Sequence, residues 1–356
     1  MDAYFEWTTP AAIPLDRNGP ETVGFEPFLK EWCERPAVEL FATAAARYSD
    51  RVACEDIDTR LTFGEVWAAA LRLAAIVDAA VPPGAPVGVL LPNQASYAVA
   101  VLACLGAARP CILIDRNYPQ DRVGRIVRDA GLAAIVLRQS DIADGFLLPA
   151  GLQAIALERA FERGAVIDRM PAAPDAATFV VYTSGSTGGP KGIVLSQRAV
   201  LHRAAELVNA VHLRPADKVL SLASPGTIGG LQQIFEVMLA GASLVKLDLQ
   251  RVGLGEVVRI VAERHITMMF STPAVWRSVS RLDGVAEKLA SLRCIQSSGD
   301  TLLRIDHDQI RAVLPRDCHV LSVYGATEST GPAAMVRRLA AGRGSARARR
   351  LSATGH

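Results

Sequence analysis

The sequence has no Cys-x-x-Cys pair and no histidine at zinc-finger spacing from its cysteines. It also has no apolar run approaching the roughly 20 residues that cross a bilayer. The longest such stretch, 97–108, stops well short of that. These absences exclude a zinc site, a disulfide framework and a transmembrane helix. The six cysteines, at 33, 54, 104, 111, 294 and 318, then read as small buried apolar side chains in a reduced compartment. The opening MDAYFEWTTPAAIPLDRN lacks a basic segment followed by an apolar one, so the expected address is the cytoplasm. An excess of one charge is missing too. The formal net charge is +2, with basic and acidic residues interleaved as far as 336, so neither a nucleic-acid face nor a membrane anchor is expected. Small molecules are the expected partners, and no repeat of solenoid period is present.

Apolar bulk is abundant. Half of the 356 residues are hydrophobic and only 21% are charged, enough for a large core in one big domain or two closely packed lobes. From about Pro36 the apolar period alternates between 3.6 and short continuous runs. Helices are predicted over 37–47, 63–80, 95–107, 120–130, 197–211, 231–239, 256–264 and 302–313. Strands are predicted over 87–91, 111–114, 134–137, 179–183, 244–247, 268–270, 295–297 and 320–323. That alternation predicts an α/β fold of parallel sheets covered by helices. Residues 140–176 are weakly patterned and end in MPAAPDAA, which suggests a connection into a second half of the fold. The expected organisation is an N-terminal extension at 1–35, a domain at 36–335 with subdomains of about 36–170 and 171–335, and a tail at 336–356. That tail, ending RRLAAGRGSARARRLSATGH, loses all apolar period and reads as disordered or as the product of a shifted reading frame.

The sharpest motif is VVYTSGSTGGPKG at 180–192, an apolar strand running into small residues and then Pro-Lys-Gly. Glycines permit close backbone approach. The N–H groups of Gly185 and Gly188 and the hydroxyls of Thr183, Ser184, Ser186 and Thr187 can surround phosphate oxygens, and Lys191 adds a mobile positive charge. A flexible Gly/Ser linker is the plain alternative, but linkers do not ordinarily join a β-run to Pro-Lys-Gly. A Walker A loop requires Gly-Lys followed by Ser or Thr and an immediate helix; here Pro190 precedes Lys191 and a β-like GIVLS follows it. Further on, YGATE at 324–328 follows another apolar strand, and Ser298, Gly299 and Asp300 form a turn-like triplet. None of the histidines falls in a metal or nucleophile constellation, and exposed positions are expected for His202, His212, His307 and His319.

The 180–192 stretch resembles the phosphate-binding signature of the adenylate-forming superfamily, which includes acyl-CoA synthetases, luciferases and the adenylation domains of nonribosomal peptide synthetases. LTFGEV at 61–66 resembles the LTYxEL segment of the adenylation domains, and LGAARPCILIDRNYP at 105–119 resembles their LKAGxAYVPLDPxYP, with Arg116 and Asn117 departing from it. YGATE resembles their YGxTE motif. The resemblance implies the superfamily's N-terminal domain, with two layered, largely parallel sheets flanked by helices. It also implies ATP and Mg²⁺ as cofactors. Tyr324 and Gly325 would meet adenine, Thr327 phosphate and Glu328 the metal, while Gly299 and Asp300 would line the nucleotide pocket. Lys191, Thr327 and Glu328 would be the catalytic residues of an AMP-forming carboxylate ligase. FSTPAVWR at 270–277 resembles the passage behind the acyl pocket.

In amino-acid-activating relatives the phrase FDxSVWEIFxxLLxGAxLV supplies an aspartate for the substrate's α-ammonium. Counting back from IFEVMLAGASLV at 234–245 puts Ile228 at that position and Thr227 at the preceding aromatic one. An apolar side chain cannot compensate a buried ammonium, so the expected substrate is a 2-oxo, aryl or aliphatic acid without an α-amino group. Relatives continue with a TGD segment, a hinge and a small lobe bearing a lysine, none of which follows Gly331. The expectation is that the small C-terminal domain is missing. Loss of one preorganised charged donor slows such a reaction by about 10²–10³, so nucleotide binding that is weak at best and adenylation that is very slow or undetectable are expected. Another polypeptide could supply the lobe, with a carrier protein or CoA as acceptor. The alternatives are a non-catalytic nucleotide-binding remnant and an inactive gene fragment.

Overall fold

In a computed structural model the described residues are 23–144, 146, 148–149, 151–168, 172–184, 189–329, 332–338 and 349–352. The helices are α1 (Ala37–Arg47), α2 (Phe63–Ala80), α3 (Tyr97–Gly106), α4 (Gln120–Ala130), α5 (Gln139–Ala143) and α6 (Gln197–Val211). They continue with α7 (Ile228–Leu239), α8 (Leu249–Glu263), α9 (Pro273–Val279), α10 (Val285–Lys288) and α11 (Arg304–Val313). The strands begin with β1 (Val52–Glu55), β2 (Arg60–Thr62), β3 (Val87–Leu91), β4 (Cys111–Asp115), β5 (Ala134–Leu137), β6 (Gln153–Ala156) and β7 (Ala177–Ser184). They continue with β8 (Pro190–Ser196), β9 (Lys218–Ser221), β10 (Ser243–Lys246), β11 (Met268–Ser271) and β12 (Cys294–Ser298). The last three are β13 (His319–Gly325), β14 (Pro332–Arg338) and β15 (Arg349–Ser352).

Two sheets result, as expected. The six-stranded one runs β6-β5-β3-β4-β7-β8 and is parallel except for the β7–β8 hairpin. The nine-stranded one runs β15-β14-β13-β12-β11-β9-β10-β1-β2, parallel in its middle, with antiparallel pairings only at its two edges. The weakly patterned stretch falls between β5 and β7 of the first sheet. Part of it forms the short edge strand β6, whose first two residues are exposed. Its exposed half explains why it carries little apolar signal. Running into the Arg-rich C-terminal segment, β14 pairs antiparallel with β13 and β15 with β14.

Strands of the large sheet are apolar on both faces, and consecutive residues enter different cores. Val219, Leu244, Met268 and Cys294 join the central core with α1, α2, α3, α6 and α7. Their neighbours Leu220, Val245, Met269 and Ile295 join a second core with α8, α9, α10 and α11. A third cluster covers the outer face of the small sheet with α4. The run at 97–108 is accounted for by α3, a wholly buried central helix. Among the described residues no helix is long and apolar enough to cross a membrane. All six cysteines are buried and none is in a disulfide, and burial pushes the Cys33, Cys54 and Cys318 thiols up to about 12.

Candidate functional site

Open parallel sheets place ligands beyond the carboxyl ends of their strands where the strand order reverses. In the large sheet the chain leaves β9 for β10 on one side and returns to β11 on the other. At that point a cavity of about 430 Å³ opens. Its described lining is drawn from the ends of β9, β11, β12 and β13 and the segments after them, including Ser224, Phe270, Thr272, Gln296, Ser298 and Gly299. Gly325, Ala326 and Thr327 close one side, and Thr227, Ile228 and Gly229 open α7 on another. Deeper in α7, Gln232, Gln233 and Glu236 line the cavity together with Arg203 of α6.

The α7 entrance is held by local chemistry. The Thr227 hydroxyl caps the helix by accepting from Gly230 N at 3.3 Å and donates to Ser224 O at 2.7 Å. Ser224 donates to the Asp115 carboxylate, and Tyr118 Oη reaches Gly226 O at 3.4 Å. A Cβ at 226 would sit 2.5 Å from Tyr118 Oη, and one at 230 would collide with the Ser224 carbonyl, so both positions need glycine. Asp115 and Tyr118 therefore clamp the turn that aims α7 at the cavity. That gives the DRNYP segment a physical role that sequence similarity alone does not. Thr62 and Glu65 of LTFGEV likewise make a reciprocal capping box at the start of α2, at 3.2 and 2.8 Å.

Of the residues proposed from sequence, Thr227, Ile228, Gly299, Gly325 and Thr327 meet in this one cavity. Asp300, Tyr324 and Glu328 are exposed and flank lining residues in the chain, with Tyr324 75% exposed, a ring free to stack on a planar partner. Thr183 and Lys191 face each other across the β7–β8 hairpin in the other sheet, Thr183 half-buried and Lys191 exposed. Neither is among the described residues lining the cavity. Ser184 closes β7, and Gly185, Ser186, Thr187 and Gly188 lie outside the described residues. The hairpin is tied to α4, where Arg122 Nη2 donates to Tyr182 O at 3.5 Å and Tyr182 Oη donates to Asp129 at 2.6 Å. The exposure expected for four histidines is corrected. His202, His307 and His319 are half-buried, and His212 is buried, its ring stacked 4.1 Å from that of Phe25 because it closes α6 in a left-handed turn against the N-terminal segment.

Sequence reasoning missed the polar inner end of the cavity. Arg203 and Glu236 are both buried, with Nε and Oε1 3.7 Å apart. Burial pushes the Glu236 carboxyl up from 4.5 to about 7, against the pull of Arg203. Glu206 approaches Arg203 at 3.9 Å, and burial raises its carboxyl as well.

A family model described as AMP-binding enzyme matches residues 41–355. Phosphinothricin tripeptide synthetase PhsC of Streptomyces viridochromogenes is 32% identical over 307 residues, which is 83% of this chain and 27% of PhsC. Pyochelin synthetase PchE of Pseudomonas aeruginosa is 29% identical over 291 residues, 81% of this chain and 20% of PchE. The chain thus spans about a quarter or less of these relatives' length. Among solved structures, the nonribosomal peptide synthetase FmoA3 in its AMPPNP-bound form superimposes with a TM-score of 0.77 at 25% identity, over 88% of this chain and 33% of that one. The Klebsiella oxytoca NpsA N-terminal subdomain, in complex with 3-hydroxyanthranilyl-AMSN, shares the fold with a TM-score of 0.74 at 18% identity, over 85% of this chain and 76% of that one.

Proposed function

This chain belongs to the AMP-binding enzyme family, and on that premise we propose that it activates a carboxylic acid with ATP, giving an acyl-adenylate and pyrophosphate. The observation that carries the reading is the convergence of Thr227–Ile228, Gly299 and Gly325–Thr327 on one cavity at the strand-order reversal. In the proposed reaction an oxygen of the substrate carboxylate attacks the α-phosphorus of ATP, the bond to the bridging oxygen breaks, and pyrophosphate departs with that electron pair. Little covalent work falls to the protein, which positions the reactants and stabilises charge.

Tyr324 offers its exposed ring to adenine, and Thr327 offers a hydroxyl to phosphate. The 183–191 loop, with Lys191 at its end, would hold the β- and γ-phosphates. No cluster of three or more His, Cys, Asp or Glu side chains able to hold a metal exists among the described residues. A lone exposed carboxylate, Glu328, fits Mg²⁺, which ordinarily takes one or two carboxylates and completes its shell with phosphates and water. Bound there, the ion would neutralise triphosphate charge. With Ile228 lining the cavity where an ammonium partner would be needed, the favoured acids are 2-oxo, aryl or aliphatic and carry no α-amino group. If a C-terminal domain is supplied in trans, a carrier-protein thiol or CoA would receive the acyl group.

ATP–pyrophosphate exchange by the purified chain with a panel of such acids tests the reading. Exchange that depends on the acid is expected. Exchange with ordinary α-amino acids, lost when the amine is blocked, would overturn the substrate class. Failure both to exchange with any acid and to bind an ATP analogue would overturn the reaction.

A further inference from the structure

The inner end of the cavity is more polar than a purely apolar acid needs. Arg203 and Glu236 line it from two helices, both buried, at a separation outside hydrogen-bonding reach. Gln232, Gln233 and Gln296 line it with them, also buried. The side-chain carbonyl oxygens of Gln233 and Gln296 have no donor among the described residues. A buried amide oxygen has lost its water, and only a donor restores what it lost. The terminal torsion of glutamine is broad, so either amide can turn towards an incoming group.

Position and size define that group. Thr227 is exposed at the mouth, and Glu236 lies two helical turns beyond Ile228, about 12 Å along the axis. The cavity of about 430 Å³ equals roughly fourteen waters at about 30 Å³ each, room for a ring or short chain ending in one polar group. Arg203 and Glu236 form an oppositely charged pair, so a charged tail would arrive as an additional buried charge without its own partner. A hydroxyl or carboxamide both donates and accepts without adding charge.

We propose that this inner end selects an acid carrying a neutral hydrogen-bonding group, a hydroxyl or a carboxamide, at the end remote from the carboxylate, with Glu236, Gln233 and Gln296 as acceptors and Arg203 as donor. The assignment rests on reading the cavity as an acyl-adenylate site. Within that site it names the part that discriminates among acids. A pocket built to hydrogen-bond a substrate rejects an analogue lacking the group more strongly than an apolar pocket rejects a missing methylene.

The test is calorimetric titration of the full chain with 5′-O-sulfamoyladenosine, a stable mimic of the nucleotide half. Its N-acyl derivatives are titrated alongside, bearing benzoyl, each monohydroxybenzoyl isomer, 4-carbamoylbenzoyl and 4-(aminomethyl)benzoyl tails. If neither the parent nor any derivative binds, the adenylate reading falls and the proposal with it. Where the nucleotide half binds, the best hydroxyl or carbamoyl tail is expected to bind at least fivefold more tightly than benzoyl. A smaller preference, or tightest binding by the aminomethyl tail, overturns the proposal and leaves the adenylate reading standing. In the double variant Gln233→Leu/Gln296→Leu the preference should drop below threefold. Should that variant not fold, the wild-type series decides alone.

Discussion

Two arginine–carboxylate pairs sit at opposite ends of the same sheet's strands, one with a half-buried arginine and one buried throughout, and differ in how closely the partners approach. At the entrance to β9 and β12, Arg293 grips Asp217 through two hydrogen bonds of 2.7 and 2.6 Å, and Asp217 also accepts from Thr267 Oγ1 and Arg214 N. At the carboxyl ends, Arg203 and Glu236 stand 3.7 Å apart beside a cavity. The first pair is complete and ties a loop, a helix end and two strands together. In the second the guanidinium and the carboxylate stand apart beside the cavity. The same chemistry thus serves at two different separations.

Breaking the tight pair is expected to have the largest effect. Asp217→Asn leaves the half-buried Arg293 without its buried carboxylate and should destabilise the chain by about 4 kcal/mol, read from the urea midpoint at constant m. A loss below that of any change at Glu236 would erase the contrast.

A further cation sharpens it. Lys246 is wholly buried over the Tyr97 ring, with no hydrogen-bond partner among the described residues, and burial pulls its ammonium down from 10.5 to about 8. The folded state holds that proton less tightly than the unfolded chain, so wild-type stability should rise as pH climbs from about 8 towards 10.5. Lys246→Met should be more stable at pH 7 by about 3 kcal/mol, and thermal melts across pH should show the gain shrinking above pH 8.

Glu236 carries the opposite sign. Its folded state holds the proton more tightly, so wild-type stability should fall as pH rises from 4.5 through about 7. Because the side chain borders an open cavity, Glu236→Gln should stabilise by only about 2 kcal/mol at pH 8 and hardly at all at pH 4.5, as chemical denaturation at the two pH values would report. The smallest effect belongs to Gln296→Leu, which removes an acceptor without a donor and should leave the ligand-free chain unchanged or more stable by about 1 kcal/mol. A clear destabilisation would mean that the glutamine serves the fold.

Much of this architecture is legible from residue order. β3, β4 and β5 are apolar runs buried on both faces, and α4 shows three buried positions in an otherwise charged helix. Segments whose partners are distant in sequence are harder to read. β1 and β2 are four and three residues long and join the large sheet only by pairing with β10, far along the chain. β9 is four residues and carries too short a pattern to announce itself. The motif residues around 227, 299 and 325–327 could be named because the resemblance to known family motifs fixed their positions in the sequence. Arg203 and Glu236 could not, because charges within helical sequence read as solvent-facing until two helices are seen to bury them together.

The central claim is that the cavity after β9, β11, β12 and β13 binds the nucleotide and acyl halves of an adenylate. The most direct test is a crystal structure of the chain with a non-hydrolysable ATP analogue and Mg²⁺. Adenine against Tyr324, with phosphates between Thr327 and the 183–191 loop, is the predicted result. An analogue bound elsewhere, or that loop turned away from the cavity, would contradict it.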